Sequence, residues 1–179
     1  MKKIVGTGLT ILLSSVCAFC FTLAVKGHYF YPSDKTFRDI YGGGPMYGGE
    51  IGIGVSRSLD IWIGGSYFSR TGELTYTKEG TKLSILPVDL GLRYRFTAGS
   101  VIVYGSAGVE YCQFKESNPI GRVNKGGAGL IVRLGSLFRI SRGFYIDLAV
   151  GYSYCQMKPA DYNIQIGGIQ AGGGLVFEF

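Results

Sequence analysis

Eight segments of this 179-residue chain alternate between apolar residues and small or polar residues. A β-strand has a side-chain period of two, so each segment has one apolar face and one small or polar face. In Phe144–Gln156, for example, Ile146 and Leu148 lie on one face, and Asp147 and Gly151 lie on the other. The alternation predicts an all-β fold in which the two faces of a sheet meet different surroundings.

The predicted strands follow one another along the chain, and the connections between them alternate in length. Short turns follow the second, fourth and sixth strands, and longer or protruding links follow the others, including Pro32–Pro45, Lys115–Gly127 and Met157–Ile164. The strands are Val25–Tyr31, Met46–Ser56, Asp60–Thr77, Lys82–Phe96, Val101–Phe114, Ala128–Ile140, Phe144–Gln156 and Ile169–Phe179.

We expect the third and fourth strands to form a long hairpin. Glu79-Gly80 is a good two-residue turn and would place Arg70 opposite Asp89. Pro87 lacks a backbone donor, so we expect a bulge or a rim position there.

The first 24 residues have the pattern of a secretory signal peptide. Lys2 and Lys3 precede an uncharged apolar stretch, Ile4–Val16, and small-residue exits follow at Ala18 and Ala24. This stretch is too short for a typical membrane-spanning helix. We therefore expect a cleaved segment, 1–24, with cleavage after Ala24 or Ala18, and one exported domain, 25–179.

The exported domain is apolar although no run in it is long enough for a transmembrane helix. Apolar residues make up 46% of the chain, yet no other segment reaches the roughly 18 consecutive apolar residues that such a helix needs. Strands that present alternate residues to lipid explain this combination. A β-sandwich is the alternative, because it would bury the same apolar rows between two sheets.

Outward-facing aromatic residues gather near the two ends of the predicted strands. In the seventh strand, Phe144 and Tyr154 are ten residues apart, which gives about 33 Å of strand and roughly 25 Å of height after tilting. That height matches the apolar band of a membrane barrel. The predicted aromatic girdles contain Phe96, Phe138 and Phe144 at one end and Tyr111 and Tyr154 at the other.

The last strand, Ile169–Phe179, carries Leu175, Phe177 and Phe179 on its apolar face. It resembles the C-terminal assembly signal of bacterial outer-membrane β-barrels, and residues 25–179 resemble the small eight-stranded barrels of the OmpX and OmpA-membrane-domain class. The resemblance implies an up-and-down (meander) transmembrane β-barrel in the cell outer membrane, with both termini in the periplasm. It also implies contact with outer-membrane lipid or lipopolysaccharide, and recognition by the barrel-assembly machinery through the last strand.

The inward faces of the strands collect charged side chains, in a lumen only wide enough for side chains. Buried charges are tolerated when they are paired. An ion pathway is one reading of this set, and a charge-paired plug that closes the barrel is the reading we favour. The predicted lumen charges are Glu50, Asp89, Arg93, Arg95, Glu110, Arg133, Arg139, Asp147 and Glu178.

The sequence shows no arrangement of residues typical of catalysis, cofactor binding or metal binding. His28 is the only histidine and has no nucleophile and orienting group in a triad pattern. Cys112 and Cys155 lie two strands apart, roughly 10 Å, which exceeds the Cα separation of a disulfide. We expect them to be reduced residues that fill the lumen, with a disulfide as the less favoured alternative.

The charge balance argues against a nucleic-acid partner. The formal net charge is +6, and subtracting Lys2 and Lys3 of the signal segment leaves +4, without a basic stripe. We predict a monomeric, non-enzymatic outer-membrane protein with a role in envelope integrity or surface interaction through loops 32–45 and 75–83. A small porin-like conduit for ions or hydrophobic solutes and a lipid-modifying outer-membrane enzyme are the alternatives.

Overall fold

The structure, a computed structural model, describes residues 20–73, 80–119, 121–157 and 164–179. These residues form strands and one short helix, α1. The elements are β1 (Phe21–Pro32), α1 (Lys35–Tyr41), β2 (Gly44–Gly54), β3 (Leu59–Glu73), β4 (Gly80–Ala98), β5 (Val101–Asn118), β6 (Gly121–Ser141), β7 (Phe144–Met157), β8 (Ile164–Gln165) and β9 (Gly168–Glu178).

Eight of these strands close into a barrel. Each of β1 to β7 pairs antiparallel with the next, and β9 pairs with both β7 and β1. The two-residue β8 only extends the end of β7. The predicted eight-stranded antiparallel meander is therefore confirmed. Within the described ranges, no helix has both the length and the apolarity needed to cross a membrane.

The two ends of the barrel differ in their connections. The β4–β5 and β6–β7 links are tight turns in which Gly99 (φ +64°) and Gly143 (φ +75°) adopt left-handed backbone conformations, which glycine enters without a steric penalty. The β2–β3 link is also short, and β1 begins and β9 ends on this side. We call it the short-turn end and the opposite side the long-loop end.

Strand lengths depart from the sequence expectation at both ends. β1 begins at Phe21 rather than Val25, and Thr22 and Ala24 pair with both β2 and β9. The predicted link Lys115–Gly127 is wrong, because β5 and β6 continue as a paired hairpin as far as Asn118 and Gly121. Backbone pairing continues there although the apolar alternation has ended.

The predicted register of the β3–β4 hairpin is also wrong. Gly80 pairs with Glu73, and Arg70 lies opposite Leu83; Glu79 of the predicted turn lies outside the described residues. Asp89 pairs with Gly64 instead. The register is the same on both sides of Pro87, since Gly65 pairs with Val88 and Phe68 pairs with Ile85. The proline therefore introduces no bulge between these strands.

Candidate functional site

The outer face of the barrel is a continuous apolar surface. Leu134 remains 66% exposed and Leu90 50% exposed, and the same holds for the outward residues of every barrel strand. An apolar surface that encircles the molecule is far larger than the patches that water-soluble monomers expose. This surface therefore suits contact with the hydrocarbon of a membrane rather than contact with water.

Aromatic side chains mark the two edges of that surface. Phe96 and Phe138 lie on the outer face near the short-turn end, where Phe144 packs at 5.0 Å against Phe177 of β9. Tyr111 and Tyr154 lie on the outer face toward the long-loop end and are 57% and 42% exposed. The structure thus places Phe96, Phe138 and Phe144 close to the short-turn ends of their strands, whereas Tyr111 lies inside β5, which continues to Asn118.

The last strand pairs with the first along the barrel, and the end of β9 meets the beginning of β1 at the short-turn end. Leu175 and Phe177 point outward, and the Phe179 ring lies 6.2 Å from the ring of Phe21. The Phe179 amide donates to the Phe21 carbonyl at 2.9 Å. The three residues of the predicted assembly signal therefore form one apolar row along this junction.

A cluster of six acidic and basic side chains fills the middle of the lumen, and we call it the central charge cluster. Glu50 is its hub, because Lys26 at 2.9 Å, Arg133 at 3.3 Å and Arg93 all pair with its carboxylate. Arg133 also pairs with Asp89 at 2.5 Å. The members are Lys26, Glu50, Asp89, Arg93, Arg133 and Asp147, and all are buried.

Aromatic rings hold the arginines of this cluster in place. The Arg133 guanidinium lies 4.6 Å from the ring centre of Trp62, and that of Arg93 lies 4.9 Å from the ring centre of Tyr104. The Tyr104 hydroxyl donates to Asp147 at 2.8 Å. Guanidinium groups bind favourably over aromatic faces, so the rings stabilise the cations while obstructing the lumen.

A second, smaller charge group lies near the short-turn end. Arg95 pairs with Asp60 at 2.9 Å and with Glu178 at 3.6 Å, and the Cys20 thiol donates to Glu178 at 2.7 Å. Arg139 does not join either group. Its side chain is exposed, and its guanidinium lies 5.6 Å from the ring centre of Tyr145.

The long-loop end of the lumen is filled by apolar side chains and by α1. Phe37 and Tyr41 of the helix are buried over Phe30, Phe68 and other residues of the strands. We call this cluster the apolar cap; its buried members are Phe30, Phe37, Tyr41, Met46, Phe68, Leu83, Ile85, Cys112, Phe114, Cys155, Met157 and Ile166.

Hydrogen bonds fix α1 at the mouth of the barrel. The Asp34 carboxylate caps the helix by accepting from the Phe37 amide at 2.9 Å. Burial raises the pKa of Tyr41 to about 12, so its hydroxyl stays protonated and contacts Thr81 at 3.3 Å. Thr81 in turn donates to Glu116 at 3.2 Å. The helix is therefore tied to β4 and β5 as well as to its own loop.

Apolar side chains also close the other side of the lumen, between the central charge cluster and the short-turn end. Tyr104, Tyr145 and Val176 are buried there. The full set of buried residues in this cluster is Ala24, Ile102, Tyr104, Leu137, Tyr145 and Val176. The lumen is thus occupied at three successive levels: the apolar cap, the central charge cluster, and a level near the short-turn end where apolar side chains lie beside the Arg95, Asp60 and Glu178 group.

No protein-family model matches this chain, and no curated protein matches it either. Solved structures do. Neisserial surface protein A superimposes with a TM-score of 0.67 at 14% identity, covering 89% of this chain and 97% of that one. The N-terminal β-barrel domain of Pseudomonas aeruginosa OprF gives 0.57 at 16% identity, covering 90% and 97%.

A third match is Ail, the attachment invasion locus protein of Yersinia pestis, solved with the heparin analogue sucrose octasulfate. Its TM-score is 0.55 at 16% identity, covering 89% of this chain and 99% of that one. This chain has the fold of the small outer-membrane β-barrels. At these identities the likeness concerns the fold alone, so the role of this barrel must be argued from its own residues.

Within the barrel fold, the structure separates the predicted lumen residues into groups. Glu50, Asp89, Arg93, Arg133 and Asp147 meet in the central charge cluster, whereas Arg95 and Glu178 meet near the short-turn end. Glu110 lies opposite Asp89 in the β4–β5 register, but no cation pairs with it among the residues that the structure describes.

Sequence reasoning missed Lys26, which contributes two ion pairs to the central cluster. Its inward position follows from the sequence, since the inward residues of β1 alternate with Val25 and Tyr29. Reasoning from the sequence also missed α1. Asp34 followed by Phe37, Ile40 and Tyr41 has the spacing of a capped amphipathic helix.

His28 belongs to β1, the strand that lies between β2 and β9, and its side chain is buried. It is 8% exposed, and it pairs in register with Met46 and Gly172. A histidine that served a lipid-modifying reaction would have to reach lipid or the barrel rim. The burial of His28 gives that reading no support.

Proposed function

We propose that this protein is a non-enzymatic outer-membrane barrel whose lumen is closed and whose role, in envelope integrity or surface interaction, is performed by its outer surface and long-loop end. The observation that carries the proposal is the filling of the lumen at three levels. Short turns face the periplasm and longer connections face outward in barrels of this fold, so we assign the long-loop end to the cell exterior.

The ionic middle level argues against a porin-like conduit. A water-filled path past Glu50 would have to separate it from Lys26, Arg93 or Arg133. Removing one partner of a buried ion pair costs about 3–5 kcal/mol, and displacing Trp62 would also remove a buried aromatic contact. At that energetic cost, thermal motion should open this level in only a small fraction of molecules.

The hairpin of β5 and β6 supplies a surface for partners. β6 has 21 residues and β2 has 11, a difference of about 33 Å of strand. On the outward face of the extension lie three exposed cations, Lys82, Lys115 and Arg122. Ser117 pairs with both Lys82 and Arg122, so the cations are neighbours. We call these three residues the basic face.

The basic face begins four residues beyond Tyr111 of the aromatic edge, at the level of the outer-leaflet head groups. Phosphate groups of lipopolysaccharide are its proposed partner, because clustered cations bind anionic lipid surfaces. Ail, a barrel of the same fold, was solved with a sulfated polyanion, which supports this class of ligand.

The last strand is the proposed recognition element for the assembly machinery. Segments 32–45 and 75–83 remain proposed contact regions for a surface partner.

Planar-bilayer conductance of refolded protein tests the closed lumen. A heat-dependent shift of the gel band first establishes that the barrel has folded, and heat-denatured protein serves as the control. We expect no stable current steps. Reproducible steps from folded protein, absent from the denatured control, would overturn the closed-barrel proposal and make Glu50 and Arg93 candidate selectivity residues.

A further inference from the structure

We propose that Glu110, Cys112 and Cys155 form a binding site for one zinc ion inside the lumen. The carboxylate and the two thiols are buried, and their ligand atoms all lie within 4.8 Å of one another. This cluster adjoins the apolar cap but is separate from the ion pairs of the central charge cluster. Spacing along the sequence gives no sign of it, because the ligands come from β5 and β7.

Two glycines of β6 allow the cysteines to meet. Gly127 pairs with Cys112, and Gly129 pairs with Cys155, so β6 places no side chain between the thiols. A Cβ atom on Gly127 would lie 3.1 Å from the Cys155 sulfur. The backbones are two strands apart, but inward side chains of a narrow barrel converge toward its axis, which brings the sulfur atoms together.

The carboxylate of Glu110 supplies the second argument. It is 3% exposed; one oxygen accepts from the Cys112 thiol at 3.1 Å, and the other, Oε2, has no hydrogen-bond partner in the described structure. Across the strand pair it faces Asp89, whose carboxylate already pairs with Arg133. A buried carboxylate without a partner for one of its oxygens is costly, and coordination to a metal ion would give that oxygen a partner.

The donor set matches zinc. Zinc binds thiolate sulfur at about 2.3 Å and carboxylate oxygen at about 2.0–2.2 Å, commonly in tetrahedral sites with three protein ligands and one open position. Two thiolates on opposite sides of one zinc ion would be at most about 4.6 Å apart, so small rotamer changes bring all three ligands into range. Binding converts two thiols to thiolates and releases two protons for each zinc ion.

Metal content of the refolded chain tests the site. The protein carries Cys20→Ser, which removes the other described thiol, and is refolded in detergent with reductant and zinc before gel filtration. We expect one zinc ion per chain, and no bound zinc after Cys112→Ser or Cys155→Ser. Glu110→Gln should weaken binding by at least about tenfold, the lower end of the loss seen even for outer-shell substitutions.

Two further measurements keep the test independent of folding defects. Cadmium added in place of zinc should produce the ultraviolet charge-transfer absorption of thiolate–metal bonds, and lowering the pH should abolish it. Zinc should also raise the temperature of the gel-band shift for the Cys20→Ser protein, because a ligand stabilises the state that binds it. The increment should be smaller for Glu110→Gln, which retains both thiols.

Three outcomes would overturn the proposal. Zinc retained by the Cys112→Ser/Cys155→Ser double variant would place the metal elsewhere. Folded Cys20→Ser protein that takes up neither zinc nor cadmium would refute the site directly. A Cys112–Cys155 disulfide in protein isolated without reductant, detected as a mass lower by two hydrogen atoms, would mean that the cysteines are an oxidised pair instead.

Discussion

Glu50 is the residue on which the ionic level of the lumen depends most. Its carboxylate pairs with Lys26, Arg93 and Arg133, each from a different strand. Replacing one member of a buried ion pair leaves the others with uncompensated charge, whereas exposed pairs contribute little. The stability of the barrel should therefore respond to this carboxylate much more than to acidic residues at the surface.

Glu50→Gln should lower the free energy of unfolding by about 3–5 kcal/mol. The amide keeps the shape of the side chain but removes the charge that three cations share. Urea titration of protein folded in lipid vesicles measures the effect. The chain has one tryptophan, and that residue, Trp62, lies beside Arg133, so its fluorescence reports on this part of the lumen.

Asp39→Asn is the control for Glu50→Gln, because Asp39 is exposed on α1. It should change stability by no more than about 0.5 kcal/mol. Equal effects of the two substitutions would contradict the role of Glu50 as the hub.

Gly135→Ala should destabilise the barrel by about 1–3 kcal/mol, the usual cost of overpacking. An added Cβ would lie 2.5 Å from the Tyr104 ring and 2.8 Å from a backbone oxygen of Leu148. Gly105→Ala is a matched control, since its Cβ would meet Leu134 at an ordinary 3.5 Å. Urea titration should separate the two variants, and similar midpoints would contradict the close packing around Tyr104.

Among the elements, α1 is the one whose contribution can be separated from the barrel. It has seven residues, too few to be stable alone in water. It persists because Asp34 caps it, because Phe37 and Tyr41 are buried in the apolar cap, and because Gly42 (φ +66°) ends it with a left-handed backbone. Loss of one anchor should loosen the helix while the strands stay paired.

Phe37→Ala should increase hydrogen exchange in segment 33–43 and leave exchange in the barrel strands unchanged. The substitution removes a buried ring from the apolar cap and opens a cavity. Mass spectrometry of peptides after exchange in detergent measures the difference. Thr36→Ala, at an exposed position of the same helix, should have little effect, and faster exchange throughout the barrel would contradict the independence of α1.

The first strand bears on the maturation of the chain. Cleavage after Ala24 would remove Phe21–Ala24, which pairs with β2 and with β9. Cleavage after Ala18 would leave that pairing intact and would retain Cys20 beside Glu178. We therefore expect the mature protein to begin at Phe19, which intact-mass measurement of protein from the outer membrane will determine. A mature chain that begins at Val25 would contradict this expectation.

At the scale of the whole molecule, the barrel is asymmetric along its axis. Strands β3 to β6 stay paired beyond the last pairs that β2 and β7 form with them at the long-loop end, and the basic face lies on the outside of that extension. Exposed cations also occur at the short-turn end, but they are divided between two turns: Arg57 lies in the β2–β3 link, and Arg139 and Arg142 lie on the β6–β7 hairpin. Only the first set forms one surface next to the proposed outer-leaflet head groups.

The triple variant Lys82→Gln/Lys115→Gln/Arg122→Gln should bind lipopolysaccharide about tenfold or more weakly, because each basic residue near an anionic membrane surface contributes about 1 kcal/mol. Comigration of lipopolysaccharide with the detergent-solubilised barrel on native gels measures the loss. Replacing Arg57, Arg139 and Arg142 by Gln changes the net charge equally and should have a much smaller effect. Equal losses would mean that net charge alone determines binding.

The alternation of side chains was sufficient to predict the number of strands, the barrel and the inward position of residues such as Glu50 and Arg133. It could not predict which inward residues meet, because contacts across a lumen depend on registers that the turns determine. The error in the β3–β4 register shows this, since Asp89 pairs with Arg133 rather than lying opposite Arg70. The grouping of Cys112 with Cys155 was equally hidden, because it depends on two glycines of an intervening strand.

The ionic level of the lumen has a consequence for how the barrel is assembled. Side chains alternate strictly, so a slip of one residue in any strand would turn its inward residues toward lipid. For β6 such a slip would expose Arg133 near the bilayer midplane, at a cost of about 2–4 kcal/mol, and would leave Glu50 and Asp89 without that partner. The buried charges therefore disfavour misaligned strand pairings during assembly. Such pairings are unstable enough to be reversed before the barrel closes.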